Sequence, residues 1–131
     1  MIRISDATKL LIEEFDELKK EHDEDITGLD YSEVPGCFYQ CVFVPYIIKQ
    51  LDEQNEPELK KVFAFIENLF ADGDEDISYL VIEDTIESIC GDYDYSKYKD
   101  AILDSCGELT RKAFEDAEAE IIAYRKQRTI A

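Results

Sequence analysis

The segment Asp72-Gly-Asp-Glu-Asp76 is where residue type and spacing first suggest chemistry. Asp72, Asp74, Asp76 and Glu83 fall at positions 1, 3, 5 and 12 of a calcium loop, a spacing that wraps oxygens round one ion. Position 6, where such a loop turns sharply and normally has Gly, is Ile77. Position 9 is Leu80, which has no side-chain oxygen. Helix capping accounts for the same acids, since Asp and Glu favour the start of a helix. Cysteines are the second set. Cys37 and Cys41 are four apart and share a face of any helix there, so with Cys90 and Cys106 they have the donor count of a four-thiolate zinc site. The short CxxC pairs of such sites are absent, and the thiols read as small buried hydrophobes. His22 lies in the charged run Lys19-Lys-Glu-His-Asp-Glu-Asp25 and reads as a solvated helix-end residue rather than the base of a cysteine hydrolase. Glu83 and Glu87 are spaced as paired carboxylates, but acid–base catalysis also needs an apolar cleft and shifted pKa values. Neither a Gly-rich phosphate loop nor GxSxG, HExxH or CxxC occurs. The expectation is a protein that is not an enzyme and uses no catalytic residue, metal or cofactor.

The elements that must position these groups are helices. Ser5 or Asp6 caps a first helix carrying Leu10, Leu11, Phe15 and Leu18, which ends near Glu21. Residues 23–36, with Gly28, Pro35 and Gly36, read as a loop. Residues 37–43 read as an irregular or helical lead-in, with a short strand at 38–44 as the alternative. A firm helix follows over about 44–54, with Pro45 in its first turn. Asn55-Glu-Pro-Glu58 starts the next helix, which runs to about Ala71 with Leu59, Val62, Phe63, Phe65, Ile66, Leu69 and Phe70 in one broad arc. A fourth spans about 75–90, burying Ile77, Val81, Ile82, Thr85, Ile86 and Ile89 and turning Leu80, Glu83, Asp84 and Glu87 outward. Stretches over about 97–106 and 108–126 complete an all-α chain of five to six helices. Short connections favour antiparallel neighbours, giving one domain over 1–131 built as a small HEAT-like array of helix pairs.

Charge separates the function classes. The chain of 131 residues has 14 Lys plus Arg against 32 Asp plus Glu, a formal charge of −18. Nucleic acid and anionic membranes need basic surface, so neither is an expected partner. Apolar residues make up 45% of the chain, too many for a disordered one, and no apolar run is long enough to cross a membrane. The opening Met1-Ile-Arg-Ile-Ser-Asp has no apolar stretch after its Arg. The expected setting is cytoplasmic with reduced thiols. No Lys or Arg occurs from Val62 to Ser96, where Glu67, Asp72, Asp74, Glu75, Asp76, Glu83, Asp84, Glu87, Asp92 and Asp94 all fall. A second cation-free stretch runs from Glu21 to Ile48, while Arg111, Lys112, Arg125, Lys126 and Arg128 gather toward the C-terminal end. Unmixed acid costs stability through self-repulsion, and it speeds the approach of a basic partner. Tyrosine beside acid suits recognition, since its ring gives area and its hydroxyl gives hydrogen bonds. The candidate partner-binding set is therefore Asp72, Asp74, Glu75, Asp76, Tyr79, Leu80, Glu83, Asp84, Glu87, Asp92, Tyr93, Asp94 and Tyr95. Tyr98 lies beside it, and core packing is the competing role for each tyrosine.

Four patterns together carry a family resemblance: Leu11-Ile-Glu-Glu-Phe-Asp-Glu-Leu-Lys-Lys20, Val44-Pro-Tyr-Ile-Ile-Lys-Gln-Leu51, Asn55-Glu-Pro-Glu-Leu-Lys-Lys-Val-Phe-Ala-Phe-Ile-Glu67, and Asp72-Gly-Asp-Glu-Asp76 with Val81-Ile-Glu-Asp-Thr-Ile-Glu-Ser-Ile89. Over roughly 8–92 the chain resembles a family of small acidic helical bacterial proteins, some of which look like immunity proteins of polymorphic or contact-dependent toxin systems. It departs from that pattern at Asp16, where the first-helix motif would have Pro, a change that alters only how that helix ends. The resemblance implies a HEAT-like helical arrangement and a protein partner, and it carries over no catalytic residue. The expected function is an immunity protein that occludes a basic toxin, of nuclease type, through its acidic surface. The competing readings are a helical-repeat adaptor unconnected to toxins and a small enzyme or metal protein.

Overall fold

One extended residue, Phe15 (φ −124°, ψ 107°), divides the first helical stretch into α1 (Ala7–Glu14) and α2 (Asp16–Asp23). Asp16 thus occupies the first position of a helix, where a Pro is also at home. The computed structural model describes residues 1–130, and seven helices form among the described residues. After α1 and α2 come α3 (35–52), α4 (Glu56–Asp72), α5 (75–90), α6 (Tyr95–Ser105) and α7 (Glu108–Ile130). The chain is all-α, with slightly more helices than the sequence pattern suggests because the first stretch is split. Helices adjacent in sequence pack on each other: α1 on α2, α3 on α4, α4 on α5. The long α7 returns across both α4 and α5, so α4 sits at the centre.

Residues 37–43 are helical, which settles the choice against a strand. Helix α3 begins at Pro35 and runs straight through Pro45, so Pro45 lies mid-helix rather than in a first turn. A π turn at Tyr39–Phe43 makes this tolerable. The Val44 N–H donates to the Tyr39 carbonyl, five residues back. That widening comes just before Pro45, which has no N–H to give and whose ring crowds the carbonyl four residues earlier. Helix α5 carries a second π turn at Ile82–Ile86, where the Glu87 N–H donates to the Ile82 carbonyl. The extra residue in that turn lets Val81 and Ile86, five apart, both reach the core. Two expectations from a regular wheel over 75–90 are reversed: Ile82 is turned outward, and Leu80, one turn after the buried Ile77, is buried. The two π turns pack against each other.

The core is aromatic near α3. Phe43 is fully buried and its ring lies 5.8 Å from Phe15, 5.6 Å from Tyr39 and 6.0 Å from Phe65. A second group joins Tyr31, Phe38 and His22, with Tyr31 and Phe38 4.9 Å apart and His22 edge-on to Phe38 at 5.7 Å. His22 is thus a half-buried ring at the end of α2, not a solvated one. Thr8 Oγ1 donates to the Tyr31 carbonyl and the Tyr31 hydroxyl donates to Asp25, which anchors the 24–34 loop at its base. The cysteine expectation holds for Cys90, which is buried, but Cys37 and Cys41 are exposed. Phe38 and Tyr39 take the core side of that turn, which leaves the other side to residues 37 and 41.

The α4–α5 turn shows why Gly73 is there. The Ile2 N–H donates to the Asp72 carbonyl and the Asp74 N–H donates to the Ile2 carbonyl, so the N-terminal segment runs beside this turn. A Cβ on Gly73 would lie 2.3 Å from the Leu69 carbonyl oxygen and 2.4 Å from Ile77 Cγ2. Gly73→Ala is therefore expected to destabilise the fold by about 1–3 kcal/mol through overpacking against backbone. An unchanged midpoint in urea unfolding would show that the turn can move aside.

Candidate functional site

Helix α5 carries the acidic surface, and its own start uses part of it. Asp74 is the N-cap, its side chain accepting from the Ile77 N–H at 3.0 Å, with Glu75 and Asp76 exposed in the first turn, where the helix dipole favours acid. From Glu75 onward the chain is helical, so the oxygens spaced as a calcium loop do not wrap round a common point. Capping is the role these acids show. Asp72, at the end of α4, is exposed.

Further along α5, Tyr79 and Glu83 are exposed, and Asp84 and Glu87 are partly buried. Glu83, beside the Tyr79 hydroxyl as a hydrogen-bond acceptor, raises that phenol's pKa. Burial first, and then the neighbouring Glu83 charge, push the Asp84 carboxyl above its usual range. Glu87 is pushed up by burial and then by Glu120, Glu83 and Asp84. A Cβ on Gly36 would lie 2.7 Å from Asp84 Oδ2, so only a glycine lets the carboxylate sit against α3. Lys9, Lys19, Lys49, Lys97, Lys99, Arg111 and Lys112 pair with Glu13, Asp23, Glu17, Asp52, Glu118, Glu115 and Asp116, all outside 62–96. The acidic strip of α5 therefore carries mutually repelling carboxylates, and those lysines and arginines are engaged elsewhere.

The predicted set divides on the structure. Tyr79, Glu83, Asp84 and Glu87 form one strip. Asp92, Tyr93 and Asp94 form the α5–α6 turn, in which the Asp94 N–H donates to Asp92 Oδ1 and Tyr93 stands 99% exposed. Two members drop out. Leu80 is 6% exposed, one turn after the buried Ile77 on the same face, and Tyr95 is 8% exposed, its ring stacked 6.4 Å from Phe114. Tyr98 is also core, its hydroxyl donating to Asp52 across to α3. Glu67, counted among the acids of 62–96, caps another helix. Its carboxylate accepts from the N–H of Leu109 at 3.2 Å, and from the N–H and hydroxyl of Thr110 at 2.9 and 2.8 Å. Glu120 belongs to the site although no spacing signal links it to Glu87. Only the return of α7 along α5 brings the two together.

A groove of about 830 Å³ runs between the end of α5 and the second half of α7. Glu87 and Gly91 line it from α5, and Glu120, Ile121, Tyr124, Arg125 and Arg128 are among its α7 residues. Nothing in it combines a nucleophile with a base. Burial pushes the Cys90 thiol up to about 11, so this thiol is kept neutral. Among the described residues no group of three or more His, Cys, Asp or Glu is placed to hold a metal ion.

The model of the domain of unknown function DUF7674 matches residues 8–122. The chain belongs to that family. The matched span takes in every helix from α1 to the middle of α7, and so includes the whole acidic strip of this DUF7674 domain. No curated protein and no solved structure matches the chain. Among the described residues no helix is long and apolar enough to cross a membrane.

Proposed function

We propose that this DUF7674 chain is an immunity protein: it binds a basic protein toxin through the α5 acidic strip and neutralises it by occlusion, without turnover. The observation that supports this reading is the state of Asp84 and Glu87. Both carboxyls are pushed above their ordinary range by burial and by like charges, so their ionised forms work against the fold. Lysines or arginines of a partner would supply the missing counter-charge and speed encounter. Tyr79, 63% exposed beside Glu83, adds contact area to the same surface. Occlusion needs only such a surface, held in place by the aromatic core behind α3 and α5.

The sign of the linkage gives a first prediction. A carboxyl whose folded pKa is raised costs stability once ionised and restores it as pH falls through that folded value. Asp84→Asn and Glu87→Gln are therefore expected to raise the Tm of the free protein at neutral pH, and the gain shrinks in acid. A Tm lowered by both substitutions would mean that the carboxylates stabilise the fold.

The function is tested with a captured partner. A stoichiometric basic protein retained at low salt, released at high salt and toxic when expressed alone is the expected target. Co-expression of this chain should relieve that toxicity. The triple charge reversal Glu83→Lys, Asp84→Lys and Glu87→Lys should slow association about tenfold or more and abolish protection. Equal protection by the triple variant would place the interface elsewhere. A captured partner with no toxicity would turn the reading to a helical adaptor.

A further inference from the structure

Two thiols on α3 are not accounted for by core packing. Free cysteine is among the most buried residue types, and Cys90 follows that rule. Cys37 and Cys41 break it: both are exposed, and they lie four apart on one continuous helix. The residues between them fix their relation. Phe38 (φ −68°, ψ −44°) and Tyr39 (φ −63°, ψ −45°) are helical. The π turn widens the helix from Tyr39 on, and four residues still amount to roughly one turn, so both thiols share a face. Side chains so related have Cβ atoms about 5–6 Å apart. Phe38 and Tyr39 are fully buried, and the Tyr39 hydroxyl donates to the Ala7 carbonyl at 2.8 Å, so the core holds this turn in place.

Spacing decides what such a pair does. A disulfide needs Cβ atoms about 3.5–4.5 Å apart. A helical pair starts about 1 Å wider, and closing it would bend a turn that the core pins. An ion between the two sulfurs spans the same gap without moving the backbone. Donor number then selects the ion. Among the described residues no group of three or more His, Cys, Asp or Glu is placed to hold a metal, so the four donors of a zinc site do not converge here. Calcium and magnesium want oxygen ligands. Two soft thiolates by themselves suit a soft monovalent ion satisfied by two ligands in line, which is copper(I). The sequence around the pair has no Lys or Arg from Glu21 to Ile48 to repel a cation.

We propose that Cys37 and Cys41 form a two-thiolate site for copper(I) on the outer face of α3. Each thiol gives up its proton as it binds. One ion enters, two protons leave and no electron is transferred, so affinity rises with pH. The site draws on no residue of the α5 strip, and it stands independently of the immunity reading.

Anaerobic titration of the intact, reduced protein with copper(I), in competition with the chromogenic chelator bicinchoninate, tests this. The wild type is expected to withhold one ion per chain. Cys37→Ser and Cys41→Ser should each lose that ion to the chelator. The variant carrying both substitutions keeps Cys90 and Cys106 and should withhold none. Both substituted positions are exposed, so the fold should be kept, and circular dichroism of each variant checks it. Zinc offered in place of copper should pass to the indicator pyridylazoresorcinol, since two donors leave half its coordination unfilled. A wild type that withholds no copper overturns the proposal. So does an ion still held by the double variant, which would put it on Cys90 or Cys106. One ion per two chains would mean one thiol from each of two copies, and zinc withheld by the wild type would mean further donors; either result also overturns it.

Discussion

Replacing Phe43 with alanine is expected to lower folding stability by about 3–5 kcal/mol. The side chain is fully buried and touches three other rings, Phe15, Tyr39 and Phe65, which come from the α1–α2 break, α3 and α4. Deletion forfeits the transfer free energy of the ring, leaves a cavity, and removes edge-to-face contacts worth about 0.5–1.5 kcal/mol each beyond area. Relaxation into the cavity is restricted. Phe43 closes the π turn of α3, and that turn packs on the π turn of α5. Tyr39, in the same turn, is tied by its hydroxyl to the Ala7 carbonyl at 2.8 Å. Urea unfolding measures the loss directly. Phe43→Leu, which refills most of the volume, should cost markedly less. Equal losses for the two variants would mean that ring geometry, rather than volume, dominates.

Replacing Glu67 with alanine is expected to cost about 2–3 kcal/mol. Helix α7 starts after Gly107, which has no side chain with which to cap it. The Glu67 carboxylate does so from α4, and a Cβ on Gly107 would lie 2.5 Å from its carboxyl carbon. Without Glu67 the fully buried Thr110 loses the partner of both its N–H and its hydroxyl. Glu67→Gln keeps one acceptor oxygen and should lose about half as much. The pH dependence follows from the direction of the shift. Burial pushes the carboxyl up, but the hydrogen bonds from Thr110 and Leu109 together outweigh it, so its folded pKa lies below the ordinary 4.5. Its stabilisation is complete above that ordinary value and is lost as pH falls through the lower folded one. The gap between wild type and Glu67→Gln in urea midpoint should therefore close as pH falls through that folded value. A gap that persists there would mean that Glu67 acts through packing and not through its charge. This is the opposite sign to Asp84 and Glu87, although all three acids lie in one cation-free stretch.

That contrast bears on what can be read from a sequence. Acid count and spacing treat Glu67, Asp74 and Glu87 alike. In the folded chain one caps a distant helix, one caps its own, and one stands against like charges at the edge of a groove. A carboxylate's role is set by which N–H groups or charges come within a few ångströms; for Glu67 those belong to α7, and for Glu87 the foremost of them, Glu120, does too.

Apolar periodicity and punctuation were sufficient for the all-α class, for the ends of α4 to within a residue, for the Asn55 and Asp74 caps and for the separation of α6 from α7 at Gly107. These depend on contacts within a few residues, which the order of residues encodes directly. The sign of the surface and its gathering of bases near the C-terminal end were equally legible. Tertiary structure decided the rest. It placed the two π turns, buried Leu80 and left Ile82 on the surface. It put Pro45 inside a helix, exposed Cys37 and Cys41, and packed His22 on Phe38. It also laid α7 along α5, so that Glu120 meets Glu87 and acids and bases line one groove. A π turn costs little locally and is selected by how two helices fit, and the meeting of α5 with α7 depends on closure over a long stretch of chain. Neither leaves a mark in local spacing.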